Sequence, residues 1–326
     1  MFGPHVDLGG RRGTVGEALR QAARAAGQAG LRARAFQVFL GPPQTRRVTL
    51  DERELASVAE FVEAGSPAGA AGAAPEPVVV VAHNSYKAAP WGAGADGGIA
   101  PFIREELRAC ARARMSGLVV HLPKDWGAGC VSTLRTLLAD AEGAGAEGAA
   151  GAEGGDPAAA PRLWLENPAV VPPTRYASGE GLAEVLRQAE EAAPGRCGLC
   201  IDTAHLWTSG VDLAGAAGAD RLLDALEEGL PGELRGAGRV MFHLNDSTRE
   251  RGRGPDNHQY LRQGRMWGAP GAPGAPDGLD VLLGWIRDRD AAAILERPEA
   301  DPARLRRDYA LIAGFLRASG DDAGGA

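Results

Sequence analysis

The chain has 326 residues, 44% of them hydrophobic, and a formal net charge of -7. That apolar share supports a large folded core, and the acidic balance argues against indiscriminate coating of nucleic acid, while leaving room for a local basic loop. The opening residues carry no signal-peptide pattern and no apolar run approaches membrane-spanning length. A soluble, intracellular protein with no membrane partner is expected.

Short apolar runs alternate with amphipathic segments along the chain. Phe2 to His5 is a strand candidate, followed by a helical Ala/Arg/Leu segment from Val15 to Ala29. Ala33 to Phe39 is extended, and Asp51 supplies an N-cap for a helix reaching Glu63. The same alternation continues as Val78 to Ala82 with Phe102 to Met115, then Leu118 to His121 with Val131 to Glu142. Leu163 to Leu165 precedes Gly181 to Ala193, and Gly198 to Ile201 precedes Asp220 to Glu228. Val240 to Phe242 with Leu279 to Arg287, and Ala292 to Leu295 with Ala303 to Leu316, complete eight strand-helix units. Continuous apolar strands between such helices indicate a parallel sheet covered on both faces. Eight units in a chain of this length predict an α/β fold, a single (β/α)8 TIM barrel over residues 1–318. A doubly wound open sheet is the alternative, but the glycine-rich phosphate loop it usually carries after its first strand is missing. Two Gly/Ala-rich stretches, 142–160 and 268–277, cannot bury a core and read as flexible surface insertions. Residues 319–326 read as a disordered tail.

Metal-ligand residue types recur at the ends of these strands. His83 follows the third strand, His121 the fourth and Glu166 the fifth. Asp202 and His205 follow the sixth, His243, Asp256 and His258 the seventh, and Glu296 the eighth. Taken singly, each reads as a strand-capping or solvated polar residue. Six consecutive strands ending this way, at the face where barrel enzymes build their sites, point to one shared pocket. The chain has only six histidines; five fall here, and His5 ends the first strand. A catalytic zinc takes about three protein ligands plus an open position. Nine candidates exceed one ion and suffice for three if a carboxylate bridges. Several cations close together suit phosphate chemistry, because they stabilise both attacking and leaving oxygens.

These segments closely resemble the endonuclease IV family of apurinic/apyrimidinic endonucleases. The resemblance rests on I-D-T-A-H-L-W-T-S-G-V-D-L (201–213), M-F-H-L-N-D-S (241–247), P-D-N-H (255–258), L-W-L-E-N (163–167), A-H-N-S-Y (82–86) and I-L-E (294–296). The opening G-P-H-V-D-L-G-G fits as well, so the likeness runs from the first strand to the last. It implies a barrel holding three zinc ions that cuts double-stranded DNA on the 5′ side of an abasic site, leaving 3′-OH and 5′-deoxyribose phosphate, in base excision repair. It leaves room for accompanying 3′-phosphodiesterase or 3′–5′ exonuclease activity, and a monomer is expected. It further implies that His83, His121 and Glu166 hold the first zinc. Glu166 would bridge to a second, shared with Asp202, His243 and Glu296, and His205, Asp256 and His258 would hold the third. Glu166, Asp202 and Glu296 thereby become the catalytic carboxylates. The implied reaction is hydroxide attack on the phosphate, with zinc neutralising the leaving 3′-oxygen.

DNA contacts are implied less uniformly. Tyr86 matches a family residue that penetrates DNA at the lesion, where an aromatic wedge offsets lost stacking. Lys87 follows it where many relatives carry an apolar residue. In the loop 41–47 either Gln44 or Arg46 can serve. The seventh loop carries Arg249, Arg251, Arg253, Arg262 and Arg265 against Asp246, Glu250 and Asp256, a basic edge suited to phosphates. The four cysteines (Cys110, Cys130, Cys197, Cys200) are too few and too spread for a disulfide scaffold, and Cys197-x-x-Cys200 has no second pair to complete a zinc knuckle. Cys200, in an apolar strand, reads as a small buried hydrophobe.

Two other functions compete. Xylose-isomerase-like sugar isomerases and epimerases share the Glu/Asp/His/Glu strand ends but typically bind fewer metals. His83, His121 and the Asp256/His258 pair are surplus to a one-metal site. A non-catalytic DNA-binding relative is expected to lack ligands, and none is missing.

Overall fold

The computed structural model describes residues 1–9, 13–66, 75–91, 99–148, 160–170, 174–235, 238–268, 276–297 and 301–320. Eight parallel strands form one sheet: β1 (Phe2–Pro4), β2 (Ala35–Phe39), β3 (Val79–His83), β4 (Gly117–His121), β5 (Arg162–Glu166), β6 (Cys197–Asp202), β7 (Val240–His243) and β10 (Ala292–Leu295). From β2 onward each pairs with the next in this order, and β10 pairs with β1. The remaining seam, β1 to β2, is closed by a parallel bridge from His5 to Gln37 and by the Val6 N–H donating to the Gln37 carbonyl at 2.7 Å. The sheet is therefore the expected α/β barrel.

Helices follow the strands and cover the outside: α1 (Val15–Gln28), α2 (Glu52–Ala64), α3 (Ile99–Arg112), α4 (Ala128–Gly148), α5 (Gly179–Ala192), α7 (Ala216–Gly229), α8 (Gly278–Asp288) and α9 (Pro302–Ala318). Five of these starts, those of α1, α2, α5, α8 and α9, are set by side chains that accept otherwise unpaired N–H groups. Thr14 and Glu17 form a capping box on α1, Asp51 caps α2 as its position predicts, and Asp277 with Asp280 forms a box on α8. Asp301 caps α9, with Pro302 at its first turn where no N–H is needed. Among the described residues no helix is long and apolar enough to cross a membrane.

Three local features differ from the expected pattern. Helix α4 runs to Gly148, past Glu142 where the first insertion was expected to open a loop. Alanine and glutamate, common in 142–148, favour helix once a turn exists to extend. Of the two insertions, 149–159 and 269–275 lie outside the described residues, as does 321–326 of the expected tail. A one-and-a-half-turn helix, α6 (Thr203–Thr208), follows β6 directly, and a small antiparallel ladder joins β8 (Asp246–Ser247) to β9 (His258–Gln259). Neither was visible as apolar periodicity, because both are too short to carry a repeat.

Candidate metal centre

Side chains alternate between the two faces of a strand, so one barrel strand sends every second residue inward. The inward apolar positions Ala35, Val81, Val119, Trp164, Cys200, Met241 and Ile294 form a separate buried cluster inside the barrel. Two residues further along each strand, the same face carries Gln37, His83, His121, Glu166, Asp202, His243 and Glu296. The register steps around the barrel: His121 pairs with Glu166 and Asp202 with His243, whereas Gln37 pairs with Val81, His83 with Val119, Glu166 with Cys200 and His243 with Ile294. A polar layer thus sits on an apolar floor at the C-terminal end of the strands.

Glu166 is fully buried and divides its two oxygens between separate histidines. Oε2 lies 3.2 Å from His83 Nε2 and 2.9 Å from His121 Nε2. Oε1 lies 2.9 Å from His243 Nδ1 and 3.6 Å from His205 Nδ1. Glu296 Oε2 approaches His243 Nδ1 at 3.4 Å and His258 Nδ1 at 3.7 Å.

Asp202 explains the D-x-x-H spacing. It is the N-cap of α6, and its Oδ1 accepts the His205 N–H at 2.8 Å, which fixes His205 in the first helical turn. Its Oδ2 remains on the pocket side, 3.5 Å from His258 Nε2 and 3.8 Å from His243 Nδ1. His258 is carried back over the pocket by the β8–β9 ladder. Asp256 Oδ2 closes the group, 3.0 Å from His258 Nε2 and 3.5 Å from His205 Nε2.

The donor set fits metal ions. Four subsets of these residues bring one ligand atom each within 4.8 Å of the others: His83/His121/Glu166; Glu166/Asp202/His243/Glu296; Asp202/His205/His258; and His83/His243/Glu296. Asp256 lies against the His205/His258 group. Three histidines are tethered by the nitrogen facing away: His83 Nδ1 donates to the Asn84 carbonyl at 2.7 Å, His205 Nδ1 to the Asn167 carbonyl at 2.7 Å, and His243 Nε2 to Gln37 Oε1 at 2.8 Å. Such outward bonds leave the other nitrogen bare for a cation. His258 Nε2 is buried and forms no hydrogen bond of acceptable geometry with the carboxylates around it. An orphaned imidazole nitrogen between carboxylates is the environment a divalent cation satisfies.

Electrostatics point the same way. Burial acts to raise the Glu166 pKa, but His121 and His243 hold the carboxyl well below its ordinary value. Glu296, opposed by the same burial, is held at about 2 chiefly by His243 and His83. Burial acts to lower His205 and His243, yet both are raised well above the ordinary imidazole value, His205 mainly by Asp202 and His243 by Cys200 and Glu296. The pocket is therefore anionic enough to hold protons on buried imidazoles, and divalent cations can replace those protons.

The expected DNA contacts are distributed less simply. Tyr86 is 49% exposed, the one exposed large hydrophobic residue among those described. Its ring does not stand clear of the pocket: it packs against Phe39, His83 and His121 with centroid separations of 5.6, 5.5 and 6.0 Å. The loops after β2 and β3 form one unit, the Tyr86 N–H and the Ser85 hydroxyl both donating to the Pro43 carbonyl. Arg46 Nε donates to the Lys87 carbonyl at 2.6 Å, whereas Gln44 is exposed at the loop tip. Lys87 is exposed. Of the five arginines counted together after the seventh strand, Arg249 and Arg253 are exposed, with no ion pair to another described residue. Arg251 pairs with Asp212 at 2.6 Å and Arg265 with Glu250 at 3.3 Å. Arg262 turns away to Asp277 and Asp280 at the start of α8, where the capping acids attract it. Asp246, counted against them as a surface acid, is buried and accepts the Gly264 and Met266 N–H groups. All four cysteines are free and buried, and burial pushes the Cys197 and Cys200 thiols up to about 12, which suits inert packing.

Several supporting residues went unread in the sequence. Gln37 is buried on the inward face of β2, a lone polar residue in A-F-Q-V-F, and that interruption was a usable sign. Asn245 donates from Nδ2 to Asp202 Oδ2 at 2.8 Å, while its Oδ1 accepts the Glu296 N–H and Arg297 Nη1. Arg297 pairs in turn with buried Asp308 of α9 at 2.6 Å. No sequence spacing announces that chain of contacts.

A cleft of about 760 Å³ opens from His258 and Glu296 towards Tyr86 and Leu305. No family model matches the chain. A probable AP endonuclease of African swine fever virus (isolate Pig/Kenya/KEN-50/1950) is 28% identical over 262 residues, 80% of this chain and 78% of its own length. A probable endonuclease 4 of Chloroflexus aurantiacus is 28% identical over 248 residues, 73% of this chain and 77% of its own. The solved structure AsfvAP:AG matches the fold with a TM-score of 0.75 at 24% identity, covering 98% of each chain. The chain is thus a homologue of the proteins named AP endonuclease and endonuclease 4, and it shares the barrel fold of that solved structure.

Proposed function

We propose that the protein is a zinc-dependent AP endonuclease. It hydrolyses the phosphodiester 5′ to an abasic site in double-stranded DNA, leaving a 3′-OH and a 5′-deoxyribose phosphate, and acts as a monomer. The observation that carries the reading is the gathering of nine ligand-type side chains in one pocket, among them Glu166, whose two oxygens face different histidines. The homologues' names supply the substrate. A sugar isomerase site has no use for the His83/His121 pair or for the Asp256/His258 pair.

His83, His121 and Glu166 would hold one ion, Glu166 with Asp202, His243 and Glu296 a second, and His205, Asp256 and His258 a third. Bound zinc supplies Lewis acidity for activating water and for neutralising charge on phosphate oxygens. The chain's own groups do the rest. Glu166, Asp202 and Glu296 keep the pocket anionic and orient the imidazoles; the tethers from Asn84, Asn167 and Gln37 fix which ring nitrogen faces inward. Tyr86 at the cleft with exposed Lys87, Arg249 and Arg253, and Arg251 once it leaves Asp212, would meet the DNA backbone and the gap left by the missing base.

Elemental analysis of the purified protein, run beside incision of an abasic duplex in magnesium-free buffer, tests this reading. About three zinc ions per chain with robust incision is the expected result. One metal or none in fully active protein would refute the trinuclear assignment, and zinc without incision would refute the substrate.

A further inference from the structure

We propose that Gln37 is a positioning residue of the metal centre, setting at once the ring tautomer of His243 and the direction of the Glu296 carboxylate; the proposal rests on the metal reading above. Gln37 lies on the inward face of β2, fully buried, at the level of the apolar floor rather than of the ligands. Its side chain reaches up into the polar layer and makes three contacts there. Nε2 donates to Glu296 Oε1 at 2.9 Å and faces His5 Nδ1 at 3.1 Å, while Oε1 lies 2.8 Å from His243 Nε2.

The chemistry of the partners removes any ambiguity about which end of the amide points where. An ionised carboxylate only accepts, so the amide nitrogen must face Glu296. The amide oxygen is left for His243, and since it too only accepts, His243 must carry a proton on Nε2. Nδ1 is then the inward nitrogen, and it is the atom that faces Glu166, Glu296 and Asp202 at 2.9, 3.4 and 3.8 Å. The second amide hydrogen goes to His5 Nδ1, which must be unprotonated to accept it. His5 thus has a use, although it is not among the nine ligand candidates: it completes the donor count of Gln37 and stops the amide from flipping. One buried amide therefore orients two of the four groups around the central position, and does so from a strand that contributes no ligand. Leucine of similar size would pack in the same space yet leave Glu296 Oε1 and His243 Nε2 without their partners.

The test compares wild-type full-length protein with Gln37→Leu and Gln37→Glu, using Zn2+ alone as the probe. Competition against a chromophoric chelator should show one zinc weakened tenfold to a hundredfold in Gln37→Leu, with the others held as before, the usual effect of removing an outer partner. Gln37→Glu keeps an acceptor for His243 but sets a carboxylate against Glu296, and should lose at least as much. In parallel, long-range proton–nitrogen correlation of the zinc-loaded wild type should show His243 protonated at Nε2 and bound through Nδ1. That spectrum decides the matter even where Gln37→Leu fails to fold. Unchanged zinc affinities in Gln37→Leu, or a wild-type His243 protonated at Nδ1, would overturn the role of Gln37 while the metal reading stands. A wild type that takes up no zinc would overturn both.

Discussion

Substituting Glu166 by glutamine tests the centre of the site with the smallest change in shape. The native side chain is fully buried, with Oε2 within 3.2 Å of His83 and His121 nitrogens and Oε1 2.9 Å from His243. Glutamine has one acceptor in place of two, and its NH2 end must point at one of these two groups. His83 is tethered through Nδ1 and His243 through Nε2, so each presents a bare nitrogen inward that the new N–H would occupy. The exchange therefore removes a negative charge, blocks one ligand nitrogen and ends the ability to bridge. Loss of about 4 kcal/mol of transition-state stabilisation is expected, a rate decrease of roughly a thousandfold at about 1.4 kcal/mol per decade. Single-turnover incision of an abasic duplex measures the rate, and zinc analysis of the same preparation measures retention. Folding should survive, because the apolar floor and outer helices do not involve this side chain. Turnover within about tenfold of wild type, with zinc intact, would show that Glu166 does not bridge and that the site is organised around another residue.

Two further outcomes follow from particular contacts. Tyr86→Ala should weaken binding to abasic duplex about tenfold to a hundredfold, the worth of one aromatic stack, and change binding to intact duplex far less. Because its ring leans on His83 and His121, zinc content must be checked alongside; equal losses on both duplexes at one fixed salt concentration would make it a general surface contact. Glu106 of α3 is buried, accepts the Ser85 N–H, and is pushed up to about 9 by burial. Its folded pKa exceeds the unfolded one, so its contribution to stability is complete below about pH 4 and is lost as pH rises through 9. Glu106→Gln should therefore stabilise the fold by on the order of 2–4 kcal/mol at pH 9, with the gain vanishing near pH 4 in urea titrations; a gain independent of pH would contradict the burial argument.

The barrel and the nine ligand-type positions were legible in the chain because both depend on local properties. A strand buried on both faces must be apolar throughout, and a barrel gathers its sites at one end of the strands, so a His or carboxylate closing V-V-V-V-A-H or L-C-I-D marks its own place. Spacing also carried Asp202 and His205, since a cap and the third residue of a helix are neighbours by geometry. What the tertiary structure alone decided are contacts between residues far apart in sequence. Gln37 meets His243 and Glu296, which lie 206 and 259 residues away, and only closure of the sheet between β1 and β2 brings them together. Arg262 and Arg253 look alike in the sequence, yet one is drawn to the acids that cap α8 and the other faces solvent. Composition assigns both the same charge, but a charge acts on DNA only where no nearer partner has taken it, and that is settled by where the chain folds back.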